Sequence, residues 1–259
     1  MEVRIKTTNV TPSFDGPDHR KLLGLIALAT DLTCERDFAR LLPYEQAGLY
    51  VSRVAFANPT TPENLRKMGP DIAKAADLIL PGHPLSAICY ACTAASVVMG
   101  DENIEASVHT VRPGVPLVTP SGAAMKAFRA LGVSRVSVLT PYLEETSAPF
   151  KAYFEKNGLI IKRFHCFGLE DDGDMARLDH KTILEAALAT DTEASEAFFL
   201  SCTALQAVDV VKDLERLTGK PVVTSNQACI WEMAGHADLS ISAQKWGQLF
   251  DMPCPAGDP

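Results

Sequence analysis

Two short stretches hold the residues best suited to chemistry. Ala91-Cys92-Thr93-Ala94 and Ser201-Cys202-Thr203-Ala204 each set a thiol between an apolar run and a segment of helical period. A cysteine so placed stands at the carboxyl end of a strand, beside a helix N-terminus. Unpaired backbone N–H groups and the positive end of the helix dipole there favour a thiolate and can hold a substrate carboxylate. Neither thiol then needs a neighbouring histidine. Two such thiols on opposite sides of a small molecule suit proton removal on one face and return on the other. The competing expectation is that Cys92 and Cys202 are small buried hydrophobes, the usual fate of a lone free cysteine. That reading weakens because both fall in the same strand-Cys-Thr-Ala-helix context.

The remaining cysteines (Cys34, Cys89, Cys166, Cys229 and Cys254) read as packing residues. Cys89-x-x-Cys92 has no second Cys-x-x-Cys and no Cys or His pair at finger-like spacing to complete a tetrahedral set, so no metal is expected. Seven cysteines, an odd number in a chain of 259 residues, argue for reduced thiols in a reducing compartment.

The elements that must position the thiols follow from periodicity. Strand-length apolar runs alternate with helical segments, the pattern of βα units around a mostly parallel sheet. The expected strands are Leu23–Ala29, Val51–Ala57, Leu78–Leu80, Ala87–Ala91, Leu117–Thr119, Val136–Thr140, Ile160–Phe164, Ala197–Ser201, Val222–Thr224 and Leu239–Ile241. The expected helices are Thr61–Ala76, Thr93–Met99, Ser121–Leu131, Glu144–Asn157, Asp179–Ala189, Thr203–Thr218 and Ala228–Gly235, with Gly158 and Gly219 as left-handed helix terminators.

The chain also repeats itself. Leu25-Ile26-Ala27-Leu28-Ala29-Thr30-Asp31, the first Cys-Thr-Ala and Pro116-Leu117-Val118-Thr119-Pro120-Ser121 are echoed in order. Their counterparts are Val136-Ser137-Val138-Leu139-Thr140-Pro141-Tyr142, the second Cys-Thr-Ala and Pro221-Val222-Val223-Thr224-Ser225-Asn226. Three ordered matches imply two similar α/β lobes. Residues 1–132 form a lobe carrying Cys92, residues 133–235 a lobe carrying Cys202, and residues 236–259 a C-terminal segment packing back on the first lobe.

Bulk properties exclude several classes. A formal net charge of −8 supplies no basic surface for phosphates, so no nucleic acid partner is expected. Met1-Glu2-Val3-Arg4-Ile5-Lys6 does not open a signal sequence, and no apolar run approaches the roughly 20 residues that span a bilayer. A cytoplasmic protein without a membrane partner is the simplest expectation.

Together, Tyr90-Ala91-Cys92-Thr93-Ala94, Leu139-Thr140-Pro141-Tyr142, Ser201-Cys202-Thr203-Ala204-Leu205 and Gly219-Lys220-Pro221-Val222-Val223-Thr224-Ser225-Asn226-Gln227-Ala228 resemble the aspartate/glutamate racemase superfamily. The resembling branch holds maleate cis-trans isomerase, arylmalonate decarboxylase and the ectoine-utilisation protein A group, and the likeness runs from about Leu23 to Gly235. It implies two pseudo-symmetric Rossmann-like lobes with the active site in the cleft between them, no metal or organic cofactor, and a homodimer or larger homo-oligomer. It also implies that Cys92 attacks a double bond while Cys202 handles a proton, or that the two act as acid and base on opposite faces of one carbon. Thr93, Ala94, Thr203 and Ala204 would bind carboxylate oxygens, and Tyr142 would contact the substrate. Arylmalonate decarboxylase has Gly at the first cysteine position, so Cys92 argues against decarboxylation.

Asp31 departs from the pattern, standing where maleate isomerases carry a carboxylate-binding Asn. An acid there repels a dicarboxylate unless it is protonated or the substrate offers a cation or N–H. The acidic run Glu170–Asp174 points the same way, although it also reads as a solvated loop. The leading expectation is therefore a two-cysteine isomerase or racemase of ectoine or hydroxyectoine breakdown, acting on a small nitrogen-bearing carboxylate. Its rivals are maleate isomerisation to fumarate, an arylmalonate decarboxylase-like lyase and a non-catalytic small-molecule binding protein.

Overall fold

A computed structural model of the protein describes residues 3–14 and 20–254, so Met1, Glu2 and the last residues of the expected 236–259 segment lie outside it. Strands β1 (Lys21–Leu28), β2 (Ala47–Val54), β3 (Ala87–Tyr90) and β4 (Leu117–Val118) form one four-stranded sheet. Strands β5 (Arg135–Tyr142), β6 (Ile160–Leu169), β7 (Ala197–Leu200) and β8 (Val222–Thr224) form a second. The first has the order β2-β1-β3-β4 and the second β6-β5-β7-β8, with parallel pairing throughout. The repeated sequence thus builds the same sheet twice. Ala-Ile-Cys-Tyr of β3 and Ala-Phe-Phe-Leu of β7 are buried along their whole length, as expected of central parallel strands covered by helices on both faces.

In each sheet the chain runs outward on one side from the first strand and then returns to the other side. The strand order therefore switches between β1 and β3, and again between β5 and β7. Open α/β sheets bind ligands at the carboxyl ends of strands at such switch points. Asp31 follows β1 and Cys92 follows β3; Tyr142 ends β5 and Cys202 follows β7. Four of the residues singled out by the sequence thus stand at the two switch points.

The last helix of each repeat reaches across to the other. The helix Pro120–Leu131, capped where Thr119 accepts from the Gly122 N–H at 3.2 Å, sets Phe128 edge-on against Phe199 of β7 with ring centroids 5.9 Å apart. The helix Ser225–His236 is buried over residues 225–234 and packs on β3, β4 and the helix Pro120–Leu131. It starts on a capping box in which Thr224 accepts from the Gln227 N–H and the Gln227 side chain accepts from the Thr224 N–H. Phe199 also meets Phe154 at 5.2 Å, and Phe154 leads through Phe150 to the Tyr142 ring. That aromatic run fixes Tyr142 from behind.

Gly158 and Gly219 do adopt positive φ (93° and 70°) after their helices. Several expected elements differ. Thr61–Ala76 is two helices, Pro62–Arg66 and Gly69–Asp77, broken where Gly69-Pro70 restarts the turn with a residue that cannot donate to the preceding one. Leu78–Leu80 and Leu239–Ile241 form no strand, and Leu80 takes a left-handed φ of 44°. The helix expected from Thr203 begins as a 3-10 turn at Ala207–Val210 and becomes α-helical only over Val211–Thr218. Cys202 is therefore followed by an irregular bend rather than a helix. The unforeseen helix Cys34–Leu41 buries Cys34, Asp37, Phe38 and Leu41; a buried aspartate in its apolar stripe hid the period.

Candidate active site

Cys92 caps the helix Thr93–Met99 and is 5% exposed; Cys202 is 4% exposed. The two sulfurs lie within electrostatic reach of each other and of Asp172. The Ala95 N–H favours the Cys92 thiolate, but burial outweighs it and pushes the thiol well above its ordinary value. Cys202 is also raised by burial, and further by Asp172, to about 12, against the opposing pull of the Tyr142 phenol and the N–H groups of Ala204 and Leu205. The Ala204 N–H reaches the Cys202 sulfur at 3.3 Å. Helix-end electrostatics alone predicts depressed thiols. Here burial outweighs those donors, and both thiols are raised above their ordinary value. Tyr142 is itself buried, so its phenol stays protonated and acts as a donor to that sulfur.

The two Cys-Thr-Ala motifs are tied together. Thr93 Oγ1 donates to Ser225 Oγ at 2.8 Å, and the same oxygen accepts the Cys202 N–H at 3.1 Å. Thr203 Oγ1 donates to the Ala91 carbonyl at 3.1 Å, and Thr33 Oγ1 to the Ala204 carbonyl at 2.6 Å. Both motif threonines commit their hydroxyl protons to the lobe junction. What they retain toward a carboxylate is the backbone N–H. Asn226 completes the lock by donating to Thr203 O (3.0 Å) and to the fully buried Asp37 (2.8 Å).

Ser225, Asn226 and Asp172 are functional candidates that sequence reasoning did not single out individually. The available signal was Thr224-Ser225-Asn226-Gln227, a polar cluster at the mouth of an otherwise apolar helix. Asp172 begins the short helix Asp172–Ala176 and reaches the other lobe, accepting from Thr30 Oγ1 at 2.7 Å. Burial, with Asp31 and Asp171 adding to it, raises its carboxyl to about 6. Asp31 is also raised, by burial first. Cys89 is not part of this cleft: it is buried in β3 beside Cys229. A separate cavity of about 630 Å³, lined by Leu139, Ser147, Lys151, Phe164 and Cys166 among others, includes no residue of either Cys-Thr-Ala motif.

The raised Asp172 carboxyl has a consequence for stability. Because the folded state keeps a proton that the unfolded chain releases, stability is greatest below about pH 4 for this group and falls as pH rises through 6. Asp172→Asn is expected to raise unfolding free energy by ~2 kcal/mol at pH 8 and to change it little near pH 4. Urea denaturation at the two pH values checks this; equal effects at both would contradict it.

Two repeated parallel sheets, with a cysteine following a central strand in each, fit the aspartate/glutamate racemase superfamily, and the similar proteins place the chain in its branch of maleate cis-trans isomerase and arylmalonate decarboxylase. The chain belongs to the arylmalonate decarboxylase family, whose sequence pattern matches residues 70–250. It is 31% identical to the arylmalonate decarboxylase of Bordetella bronchiseptica over 53% of its length, a match spanning 59% of that protein, under two-thirds of it. It is 25% identical to the maleate isomerase of Nocardia farcinica, over 88% of this chain and 94% of that one. In three dimensions it is similar to a Nocardia farcinica maleate cis-trans isomerase mutant with a covalently bound succinylcysteine intermediate. The TM-score is 0.81, with 21% identity over 89% of this chain and 98% of the other. Among the described residues no helix is long and apolar enough to cross a membrane.

Proposed function

We propose that the chain is a cofactor-independent two-cysteine isomerase acting on a small unsaturated carboxylate by the cis-trans chemistry named for its maleate isomerase relatives. The observation that carries this reading is the pair of buried thiols at equivalent switch points of two repeated lobes, with hydrogen bonds joining their motifs. Cys92 passes its thiol proton to the Asp172 carboxylate within electrostatic reach and adds as thiolate to one alkene carbon, while the neighbouring carbon takes a proton from Cys202. The former double bond becomes a single bond and rotates. Return of that proton to Cys202 and expulsion of the Cys92 thiolate then give the trans alkene, with no net gain or loss of atoms. Thr93, Ala94 and Thr203 offer backbone N–H groups toward the substrate carboxylate and the charge that develops beside it, while the Ala204 N–H serves the Cys202 sulfur. Tyr142 steadies the Cys202 sulfur through its phenol.

The relatives reported above favour this reading over ectoine or hydroxyectoine breakdown. That second reading keeps one specific observation in its support: Asp31 and Asp172 suit a nitrogen-bearing substrate. Proton NMR of the protein incubated with maleate and with its half-amide, maleamate, tests the proposal. The expected result is steady conversion of at least one to its trans isomer. No trans product from either, beside exchange of the α-proton of a diaminobutyrate derivative, would replace cis-trans isomerisation by racemisation.

A further inference from the structure

One end of the cleft is acidic in a way that neither the thiol chemistry nor the fold requires. Asp31 is 3% exposed, and its two carboxylate oxygens have different fates. Oδ1 accepts the N–H groups of Thr33 (3.0 Å) and Cys34 (2.8 Å) and so secures the turn after β1. Oδ2 is buried with no hydrogen-bond partner. A carboxylate used only to cap that turn is replaceable by a neutral amide, and a buried acceptor without a donor is a standing cost.

The neighbouring groups relieve it only in part. The Cys34 thiol and the Arg53 charge both favour the Asp31 carboxylate, yet burial outweighs them and Oδ2 keeps no hydrogen-bond partner; the Cys34 sulfur also faces the Thr203 carbonyl (3.7 Å) and Asn226 Oδ1 (3.6 Å). The Arg53 guanidinium is held by the backbone carbonyls of Leu28 (2.8 Å) and Asp31 (3.0 Å) and by the Glu35 carboxylate. A second carboxylate then arrives from the opposite lobe: Asp172, held by Thr30 Oγ1 at 2.7 Å and by its own N–H on Asn58 Oδ1 at 3.1 Å. Asn58 also clamps the adjacent Asp171 at 2.6 Å. Thr30 and Asp31 are consecutive, so both acids meet at the carboxyl end of β1, beside the cysteine that follows β3.

The geometry points to Asp31 and Asp172 as a two-lobed recognition site for the nitrogen end of the substrate, a protonated amine or another N–H donor. On this account the enzyme takes small monocarboxylates with nitrogen at the far end and discriminates against dicarboxylates. The inference rests on the two-thiol reading of the cleft and adds the substrate class. An incoming N–H supplies Asp31 Oδ2 with its missing donor, and a protonated amine also offsets the repulsion between the two acids. A second carboxylate would add a third negative charge to a buried pair.

Two unreactive ligands of matched length test it without turnover: succinate and 4-aminobutyrate, in which an aminomethyl group replaces one carboxylate. Isothermal titration at pH 8 is expected to show 4-aminobutyrate binding the native protein at least ~10-fold more tightly than succinate. Asp31→Asn and Asp172→Asn should each shrink that ratio, and the double variant should bring the two ligands within about threefold. Succinate binding as well as 4-aminobutyrate, or no measurable binding of 4-aminobutyrate, overturns the inference on the native protein alone, whether or not the variants fold. Asn variants that fold and keep the native ratio also overturn it. Failure of the function reading looks different: Cys92→Ser or Cys202→Ser would keep full turnover while the ligand preference stood.

Discussion

Cys202→Ser is expected to lower kcat by on the order of a thousandfold or more, and Cys92→Ser to do the same for cis-trans conversion. The magnitude follows from the chemistry assigned to each sulfur. A serine alcohol is a far weaker nucleophile and acid near neutral pH than a thiol. Burial has already raised Cys202 to about 12, so an alcohol in that place, with its higher starting value, would scarcely ionise at all. Both variants are expected to keep the fold, since serine is smaller and the Ala204 N–H that meets the Cys202 sulfur at 3.3 Å can meet an oxygen instead. Substrate binding should therefore survive while turnover is lost. Steady-state kinetics with a titration of bound ligand separates the two effects; a parallel loss of binding would point to a packing role for the cysteines.

Asn226→Ala should produce the largest loss of stability among the site residues, about 3–4 kcal/mol, with loss of activity at temperatures where the protein is still folded. Asn226 Nδ2 reaches Asp37 at 2.8 Å, and Asp37 is fully buried. The Arg36 guanidinium, also at 2.8 Å, remains after the substitution, but one side of the carboxylate loses its donor. The same Nδ2 holds Thr203 O at 3.0 Å, so the bend after Cys202 loosens at once. Asn226→Asp tests the origin of the effect, because it preserves shape and puts a second acid against Asp37. A loss as large as or larger than that of alanine is expected, read from chemical denaturation.

Much of the architecture was legible because duplication leaves a sequence trace that single elements do not. The ordered repeat around Cys92 and Cys202 anticipated the two sheets, whose strand orders match position for position. Asp31 stood out because an acid replaced an expected amide. Asp172 did not, since an acid inside Glu170–Asp174 looks like any solvated loop until Thr30, far away in sequence, is found against it. Ser225 and Asn226 were hidden for the same reason: their partners Thr93 and Asp37 are joined to them only by the crossing of one lobe's last helix onto the other, and Thr203 by a contact 23 residues away in sequence. The bend after Cys202 was missed because Thr203–Thr218 has a helical period. The Thr203 hydroxyl and carbonyl and the Ala204 carbonyl are instead drawn into contacts with the first lobe. Tertiary pairing overrode local propensity there.

The central claim is that Cys92 adds covalently to the substrate while Cys202 manages the proton. Intact and peptide mass spectrometry of Cys202→Ser after incubation with maleamate, and in parallel with maleate, tests it most directly. The account predicts one added substrate mass, carried by the peptide containing Cys92 and abolished when Cys92→Ser is combined with Cys202→Ser. An unmodified Cys92 peptide, or label that persists in the double variant on Cys166 or Cys254, would contradict it.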